Sequence, residues 1–538
     1  MPHTVWNAAW RDRTLSELEQ PEWDLIVVGG GITGAGILRE AARRGWRCLL
    51  LEQRDFAWGT SSRSSKMVHG GLRYIAKGQL GLTRDSVRER QRLLSEAPGL
   101  VEPLPFLFAH YQGSFPGPRV FGGLLSVYDA LAGQRLHRFH PPQALSFLAP
   151  QLNTQALQGA TEFQDAVTDD ARLVMRVLSE ARTEGGVALN AMQVKELQRT
   201  AGGERGERVT GLSVEDRESG RLFTLRSKAV ALATGAWADE LRNRQGSAEH
   251  IRPLRGSHLV LPAWRLPVAH AFSFMHRADK RPVFVFPWEG VTVVGTTDLD
   301  HRSPLDSDAA ISQSEVDYLL AACAQQFPAA QIGTADITAT WAGVRPVVSD
   351  EATPSKKPSD ETREHALWVE PGCVTLSGGK LTTFRLLAME VLSACAPMVG
   401  KTVADHGSRV FAATPMPELP LSPQASQRLH GRYGRDCSAL AELIASLGTA
   451  RVAHTQTLWA ELVWAAGHEL VLHLDDLLLR RTRLGLLLPE GGLPLMASVR
   501  EHCQAVLGWS DTRWDAEVAA YQTLWRRCYS VPARHTPA

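Results

Sequence analysis

No stretch of 18 or more consecutive apolar residues occurs in this 538-residue sequence, so nothing in it reads as a segment that spans a bilayer. Cysteine is sparse. Its seven residues are scattered with no C-x-x-C pair, which suggests neither a disulfide framework nor a zinc site, and fits a reducing compartment. Net charge is nearly absent as well: 58 basic residues against 57 acidic ones leave +1 at neutral pH. That balance argues against nucleic acid as the main partner. There is no low-complexity tract and no repeat of solenoid period. The first residues, MPHTVWNAAWRDRTLSELEQPEW, lack the apolar core of a signal peptide, and 1–22 reads as a short amphipathic strap on the surface.

What the chain does have is one highly ordered stretch near its start, from Asp24 to Glu52. Leu25-Ile26-Val27-Val28 is short, apolar and β-branched, the mark of a parallel strand buried on both faces. Gly29, Gly31 and Gly34 follow as G-x-G-x-x-G, with Thr33 inside the turn. A helix with Ile37, Leu38, Ala41 and Ala42 on one side comes next, stopped by Gly45. A second apolar run, Cys48 to Leu51, ends on Glu52. The glycines permit a tight turn and close approach to a diphosphate, the helix N-terminus favours negative charge, and Glu52 can accept from ribose hydroxyls. Glycine clusters alone are often plain turns; strand, glycines, helix, strand and acid in this order predict a dinucleotide-binding unit.

At this length more than one domain is expected. Residues 82–98 read as a charged helix ended by proline, and residues 101–140 mix Phe106, Phe108, Phe115, Phe121, Leu124, Leu125 and Tyr128 with Arg119, Arg135 and Arg138. A helix is predicted from about Asp170 to Ala181, a third parallel strand over Val187 to Val194, and a hairpin over 208–226 turning at Asp216 to Gly220. The run Ala229 to Ala233 leads into Thr234-Gly235-Ala236-Trp237. From Ile251 the composition turns to antiparallel β, with a turn at Glu289-Gly290, and the chain returns through SGGKLTTFR to a helix over Leu386 to Cys395. After a proline-rich linker at 414–423 it reads as all helix from about 424 to 530. His468, Glu469, Asp475 and Asp476 have metal-ligand types but read better as helix-face hydrogen bonds and ion pairs, and no metal is expected.

Directly after the nucleotide unit stands TSSRSSKMVHGGLRY: Thr60, Ser61, Ser62, Ser64, Ser65, Lys66, His69, Gly70, Gly71, Arg73 and Tyr74. With the later GVRP around Arg345, GGKLTT from Gly378, and the leucine-rich AELVWAAGHELVLHLDDLLLRRTRLGLLL, this string resembles the FAD-dependent glycerol-3-phosphate dehydrogenases. The resemblance runs from residue 22 to about 525. It departs at Met67, Val68 and Trp341, and at Phe384, where a tyrosine is common. It is looser over 101–140.

The resemblance implies an α/β fold: a Rossmann-like FAD-binding domain, an inserted antiparallel β substrate domain and an all-helical C-terminal domain. The expected division is an oxidoreductase region over 1–413 and a helical domain over 414–538. FAD-binding segments are expected at about 22–100, 165–240 and 365–400, and substrate-binding segments at about 101–164 and 250–364. It implies FAD held without a covalent bond by Gly29, Gly31, Thr33, Gly34, Glu52, Thr60, Ser61, Ser65, Thr234, Gly235, Gly378, Gly379, Leu381 and Thr382. In oxidation of sn-glycerol 3-phosphate to dihydroxyacetone phosphate, His69 is the expected base, with an ordinary pKa of about 6.5. Arg345 meets the charge developing on the alcohol oxygen. Arg73, Arg363 and Lys380, with Tyr74, hold the phosphate. The electrons are expected to pass to a quinone. On the same resemblance the protein is expected in the cytoplasm, peripherally on the inner face of the cell membrane, with a homodimer among its expected assemblies. Two rivals remain: an oxygen-reducing oxidase of the same fold acting on glycerol 3-phosphate, an amine or a 2-hydroxy acid, and a non-catalytic nucleotide-binding regulator. The phosphate-binding cations argue against an amine or hydroxy-acid substrate.

Overall fold

A computed structural model describes residues 5–72, 75, 78–201, 207–242, 251–348, 365–404, 407 and 409–533. Leu25, Ile26 and Val27 are wholly buried in the strand Trp23–Val28, as their composition requires. That strand pairs in parallel with Cys48–Leu51 on one side and with the end of Leu222–Leu232 on the other. The sheet continues in parallel to Val187–Leu189 at one edge and to Cys373–Ser377 at the other, with Ala366–Glu370 antiparallel beyond it. The helices Ile32–Ala42, Asp170–Thr183 and Phe384–Val399 pack together against it. Gly36 is where two of them meet: a Cβ there would lie 2.8 Å from the Phe384 ring. Phe384, which departs from the tyrosine common in the family, is therefore a core residue under Gly36, 1% exposed, rather than a group facing the site.

The predicted third strand is shorter than expected. Parallel pairing stops at Leu189, and Met192–Ala201 starts an antiparallel pair with Glu207–Asp216. Ala191 breaks the run, at φ +55, because its neighbour is tied elsewhere: the Asn190 side-chain amide donates to Asp55 at 3.0 Å and to the Leu470 carbonyl at 3.0 Å. The hairpin around Asp216 to Gly220 forms as its alternation predicts. So do the helix Leu80–Glu96, shifted toward the N-terminus from the expected 82–98, and the helix Asp170–Thr183, which runs slightly beyond the expected Ala181.

The second sheet has ten strands among the described residues, drawn from 67–168 and 251–348. It is antiparallel except where Ala271–Met275 meets Val101–Tyr111 in parallel. The helices from Pro423–Tyr433 to Asp511–Cys528 make up the C-terminal region and pack their leucines on this sheet's tryptophans, Trp288 and Trp341. The acid and histidine groups there form pairs. Glu469 takes both arms of Arg172 at 2.6 and 3.0 Å, Asp475 and Asp476 bind Arg480, and His468 stacks on Trp464 with ring centroids 4.0 Å apart. One segment, Leu381–Val399, is long and apolar enough by composition to cross a membrane, but half of it is buried inside the molecule as a core helix.

Of the apolar side chains singled out in 101–140, Phe106, Phe108, Phe121, Leu125 and Tyr128 are core residues, not surface ones. The strand Val101–Tyr111 is buried on both faces over 106–110, and the inward stripe of Pro118–Ala132 packs on it. The exposed apolar groups of this region are Phe115, Val120, Val127, Phe139 and Phe147.

The Arg172–Glu469 pair joins the nucleotide helix to the C-terminal region, with both side chains less than a tenth exposed. Removing one partner strands a buried charge, so Glu469→Ala should cost about 3–5 kcal/mol. Equilibrium urea unfolding checks this, and a loss below about 1 kcal/mol would show the pair to be unimportant.

Candidate active site

A cleft with an open volume, counted out to solvent, of ≈ 1320 Å³ lies at the C-terminal ends of the parallel strands. It is lined by Glu52, Gln53, Met192, Gln193 and Val194, by Gly29, Gly31, Ile32 and Thr33, and by Thr60, Ser61, Thr234, Gly235, Pro346 and the turn Gly378 to Leu381. Eleven of the expected cofactor residues thus line one cavity: Gly29, Gly31, Thr33, Glu52, Thr60, Ser61, Thr234, Gly235, Gly378, Gly379 and Leu381.

Three others stand behind the wall. Gly34 packs under the carbonyl of Gly29, where any side chain would collide, so its role is close helix–strand approach. Ser65 turns its hydroxyl to His258 Nε2 at 2.9 Å. Thr382, 1% exposed, donates to the His69 carbonyl at 3.2 Å. Arg73, Tyr74 and Arg363 lie outside the described residues.

The cradle fits a dinucleotide on its own terms. Gly29 sits at φ +108, and a Cβ there would lie 2.5 Å from the Ala233 carbonyl oxygen, so only glycine allows the turn. The N-cap of the helix Ile32–Ala42 is Gly31, which has no side chain to cap it, and no acid stands in its first turn, which leaves the N-terminus suited to a diphosphate. The Ser61 hydroxyl accepts from Ile32 N–H at 3.0 Å. Thr234 Oγ1 is buried without a protein partner, a polar atom in want of one at the cleft wall. The Glu52 carboxylate accepts from Gly30 N–H at 2.7 Å and Arg54 N–H at 2.9 Å, which fixes it at the ribose end. Burial, aided by the neighbouring Asp55 carboxylate, pushes its pKa up to about 6.

The polar groups expected to act on substrate come from several elements. His69 follows the short strand Met67–Val68, and Gly70 N–H is held by Asp165 at 2.9 Å, itself fixed by Arg90 and Tyr128. The Thr382 hydrogen bond ties His69 to the turn that carries Lys380 into the cleft. Arg345 lies in the strand Ala339–Val348, one residue before the cleft-lining Pro346. Its guanidinium lies 3.5 Å from Thr296 Oγ1 and 3.6 Å from the Asp298 carboxylate.

Residue types alone did not bring out His258. It is buried in strand Ile251–Pro262, stacked on Trp341 at 4.7 Å, with Nδ1 unpartnered. Burial, with Arg345 and Lys66 near, drives its pKa well below the ordinary value, so it is neutral at pH 7. Alternation of the strand RGSHLV was the available signal, since it puts His258 on the same face as Gly256, whose added Cβ would lie 2.8 Å from Arg345 Nη2.

Fold and cleft together define a flavin-type oxidoreductase, with a nucleotide-binding sheet beside a second, mostly antiparallel sheet. The family model described as FAD dependent oxidoreductase matches residues 24–391, and that described as the C-terminal domain of alpha-glycerophosphate oxidase matches 376–514. The chain is 35% identical to glycerol-3-phosphate dehydrogenase 2 of Mycobacterium tuberculosis over 97% of its own length and 91% of the relative's. It is 31% identical to the glycerol-3-phosphate dehydrogenase of Synechocystis sp. over 95% and 97%. A solved glycerol-3-phosphate dehydrogenase from Bacillus halodurans, complexed with FAD, superposes with a TM-score of 0.75 at 24% identity, over 99% of this chain and 100% of that one. The chain belongs to the FAD-dependent oxidoreductase family, among its glycerol-3-phosphate dehydrogenases.

Glu52 titrates higher folded, about 6, than its ordinary 4.5. Its contribution to apoprotein stability is therefore full below pH 4.5 and lost as pH rises through 6, by about 2 kcal/mol. Measured against Glu52→Gln, whose amide does not titrate, wild-type apoprotein should lose that amount between pH 4.5 and 7. A flat difference would place the carboxylate in a wetter site.

Proposed function

We propose that the chain oxidises sn-glycerol 3-phosphate to dihydroxyacetone phosphate, with a quinone as final electron acceptor. The observation that carries this reading is the cleft itself, which runs unbroken from Glu52 past the glycine turn to Lys380, beside the strand of Arg345. When bound there, FAD supplies the two-electron oxidant for the alcohol carbon. His69, half-buried after the Met67–Val68 strand, takes the hydroxyl proton. Arg345 meets the negative charge developing on that oxygen, its orientation set by Asp298 and Thr296. Lys380, with Arg73, Tyr74 and Arg363, holds the phosphate dianion. The same reading takes 1–413 as the catalytic region and 414–538 as a helical domain joined to it.

Anaerobic mixing tests the substrate. Glycerol 3-phosphate should bleach the flavin colour, and glycerol, amino acids and 2-hydroxy acids should not. Bleaching by an amine or a hydroxy acid instead would reject the reading, and fast turnover with oxygen would make the enzyme an oxidase. Lys380 meets the phosphate in ground and transition state alike, so Lys380→Ala should chiefly raise KM. Arg345→Ala and His69→Ala should lower kcat, by about 10²–10⁴-fold for the base. Unchanged KM with low kcat for Lys380→Ala inverts the assignment.

Quinone lies in lipid, and one surface suits a membrane. Phe115, Val120, Val127, Phe139 and Phe147 are exposed around the helices Pro118–Ala132 and Pro142–Leu148. Arg119, Arg135 and Arg138 are exposed among them. Each such base is worth about 1 kcal/mol against an anionic surface, and the aromatics add a salt-resistant part. Co-sedimentation with anionic vesicles should survive moderate salt, and Phe115→Glu with Phe147→Glu should abolish it. Equal sedimentation of the double variant would move the contact elsewhere.

A further inference from the structure

Arg483 ties the C-terminal helical region to the cofactor-binding segment, which the Tyr529 hydroxyl also meets by accepting from Arg63. Arg483 is 1% exposed and sits just past the turn Asp476–Arg481 in a left-handed backbone conformation, φ +62, unusual for a residue with a side chain. Its Nη1 donates to the Leu479 carbonyl of its own turn at 2.7 Å. Its Nη2 donates to the Ser62 carbonyl at 2.7 Å and to Asp170 Oδ1 at 3.0 Å. Those two acceptors organise everything around them. Lys66, wholly buried, donates to the same Ser62 carbonyl at 2.6 Å and to both oxygens of Asp170 at 2.8 and 3.0 Å. Asp170 Oδ2 also takes the N–H and hydroxyl of Ser64 at 3.0 and 2.7 Å. On one side of this knot are Thr60 and Ser61 at the cleft wall, and on the other His69, three residues beyond Lys66.

We propose that Arg483 is a positioning residue: from the C-terminal region it fixes the segment Thr60–Lys66, and through it the cofactor wall and His69. A planar fork with separate donors reaches a carbonyl and a carboxylate on two different segments while a third donor holds its own turn; an ammonium on a flexible stem would not hold all three. Asp169 and Asp170 are adjacent and buried, and with Glu289, which shares Arg432, they set three carboxylates against Lys66, Arg432 and Arg483, of which two cations come from the C-terminal helices. Without Arg483, Lys66 and Ser64 still hold the segment to Asp170, but the tie from that knot to the C-terminal turn is lost.

The proposal rests on the cleft holding FAD, and its test needs no substrate for two of three readouts. Holoenzyme and reconstituted forms of Arg483→Met and Arg483→Lys are compared with Tyr521→Phe, which removes a buried hydrogen bond to the Gly491 carbonyl within the C-terminal region. The measurements are hydrogen exchange of peptides covering 56–69, the FAD dissociation constant, and kcat and KM for glycerol 3-phosphate. Arg483→Met should loosen exchange in 59–69, weaken FAD about tenfold, and lower kcat about 10²-fold with KM changed less than about threefold, the mark of misplaced groups rather than lost contacts. Arg483→Lys should fall between, and Tyr521→Phe should lower the melting temperature while leaving FAD affinity as in wild type. The proposal is overturned if Arg483→Met lowers the melting temperature but leaves exchange in 59–69 and FAD affinity unchanged. Should Arg483→Met not fold, wild-type exchange and FAD affinity in Arg483→Lys overturn it equally. If wild type ignores glycerol 3-phosphate, the substrate reading fails while exchange and FAD affinity still decide the role of Arg483.

Discussion

The structure turns on two adjacent buried carboxylates, Asp169 and Asp170, at the start of the helix Asp170–Thr183. Asp169 caps that helix by accepting from Arg172 N–H and takes Arg432 at 2.7 Å. Asp170 takes Lys66, Ser64 and Arg483. Neither acid would stay ionised in an apolar interior alone. Arg483 and Arg432 therefore hold Asp169 below the ordinary carboxylate range despite its burial. Lys66 bears the opposite cost: burial, with Arg483 close by, brings it down to about 7. With Glu289, which also accepts from Arg432, the knot sets three carboxylates against three cations.

Such ion clusters are not an efficient source of stability, since desolvation offsets most of the attraction. Their value here is geometric. Three stretches far apart in sequence meet at Asp170, namely the serine-rich segment, the nucleotide helix and the C-terminal turn at Arg483. Apolar contacts would allow these parts to slide by an ångström, whereas hydrogen-bonded ions fix them. Asp55 repeats the arrangement three residues beyond Glu52, taking Arg480 and Arg481 from the same turn. Both ends of the cofactor cleft are thus pinned from the C-terminal helices.

The nucleotide half of this arrangement was plain in the sequence, because its signals are local. A β-branched run, a glycine pattern and a terminal acid lie within 29 residues, Asp24 to Glu52, and each forces the next. The turn at Glu289-Gly290 was legible for the same reason, both residues taking positive φ. The clamps were not. Asp55 and Arg481 are 426 positions apart, and nothing in DDLLLRRTR tells a core-facing arginine from a solvent-facing one. The aromatics of 101–140 stayed open between core packing and a membrane-facing surface for a related reason: composition shows that large apolar groups are present but not which face of a strand or helix carries them. His258 was hidden because a lone histidine in an apolar strand carries no chemical signal until Arg345, Ser65 and Trp341 are seen around it.

The short stretch from Thr60 to Val68 is where the two sheets become one machine. Its first residues flank the N-terminus of the nucleotide helix, with Ser61 accepting from Ile32 N–H. Its last two, Met67 and Val68, pair with Val167 and Ala166 as the edge of the substrate sheet. Between them the Ser64 carbonyl accepts from Trp341 in the strand of Arg345, and Thr60 donates to the Val344 carbonyl one residue before that arginine. Cofactor wall, expected base and expected oxyanion partner are therefore set by the same nine residues. A displacement at Ser62 is felt at all three, which is why a distant C-terminal turn has leverage over a site it does not line.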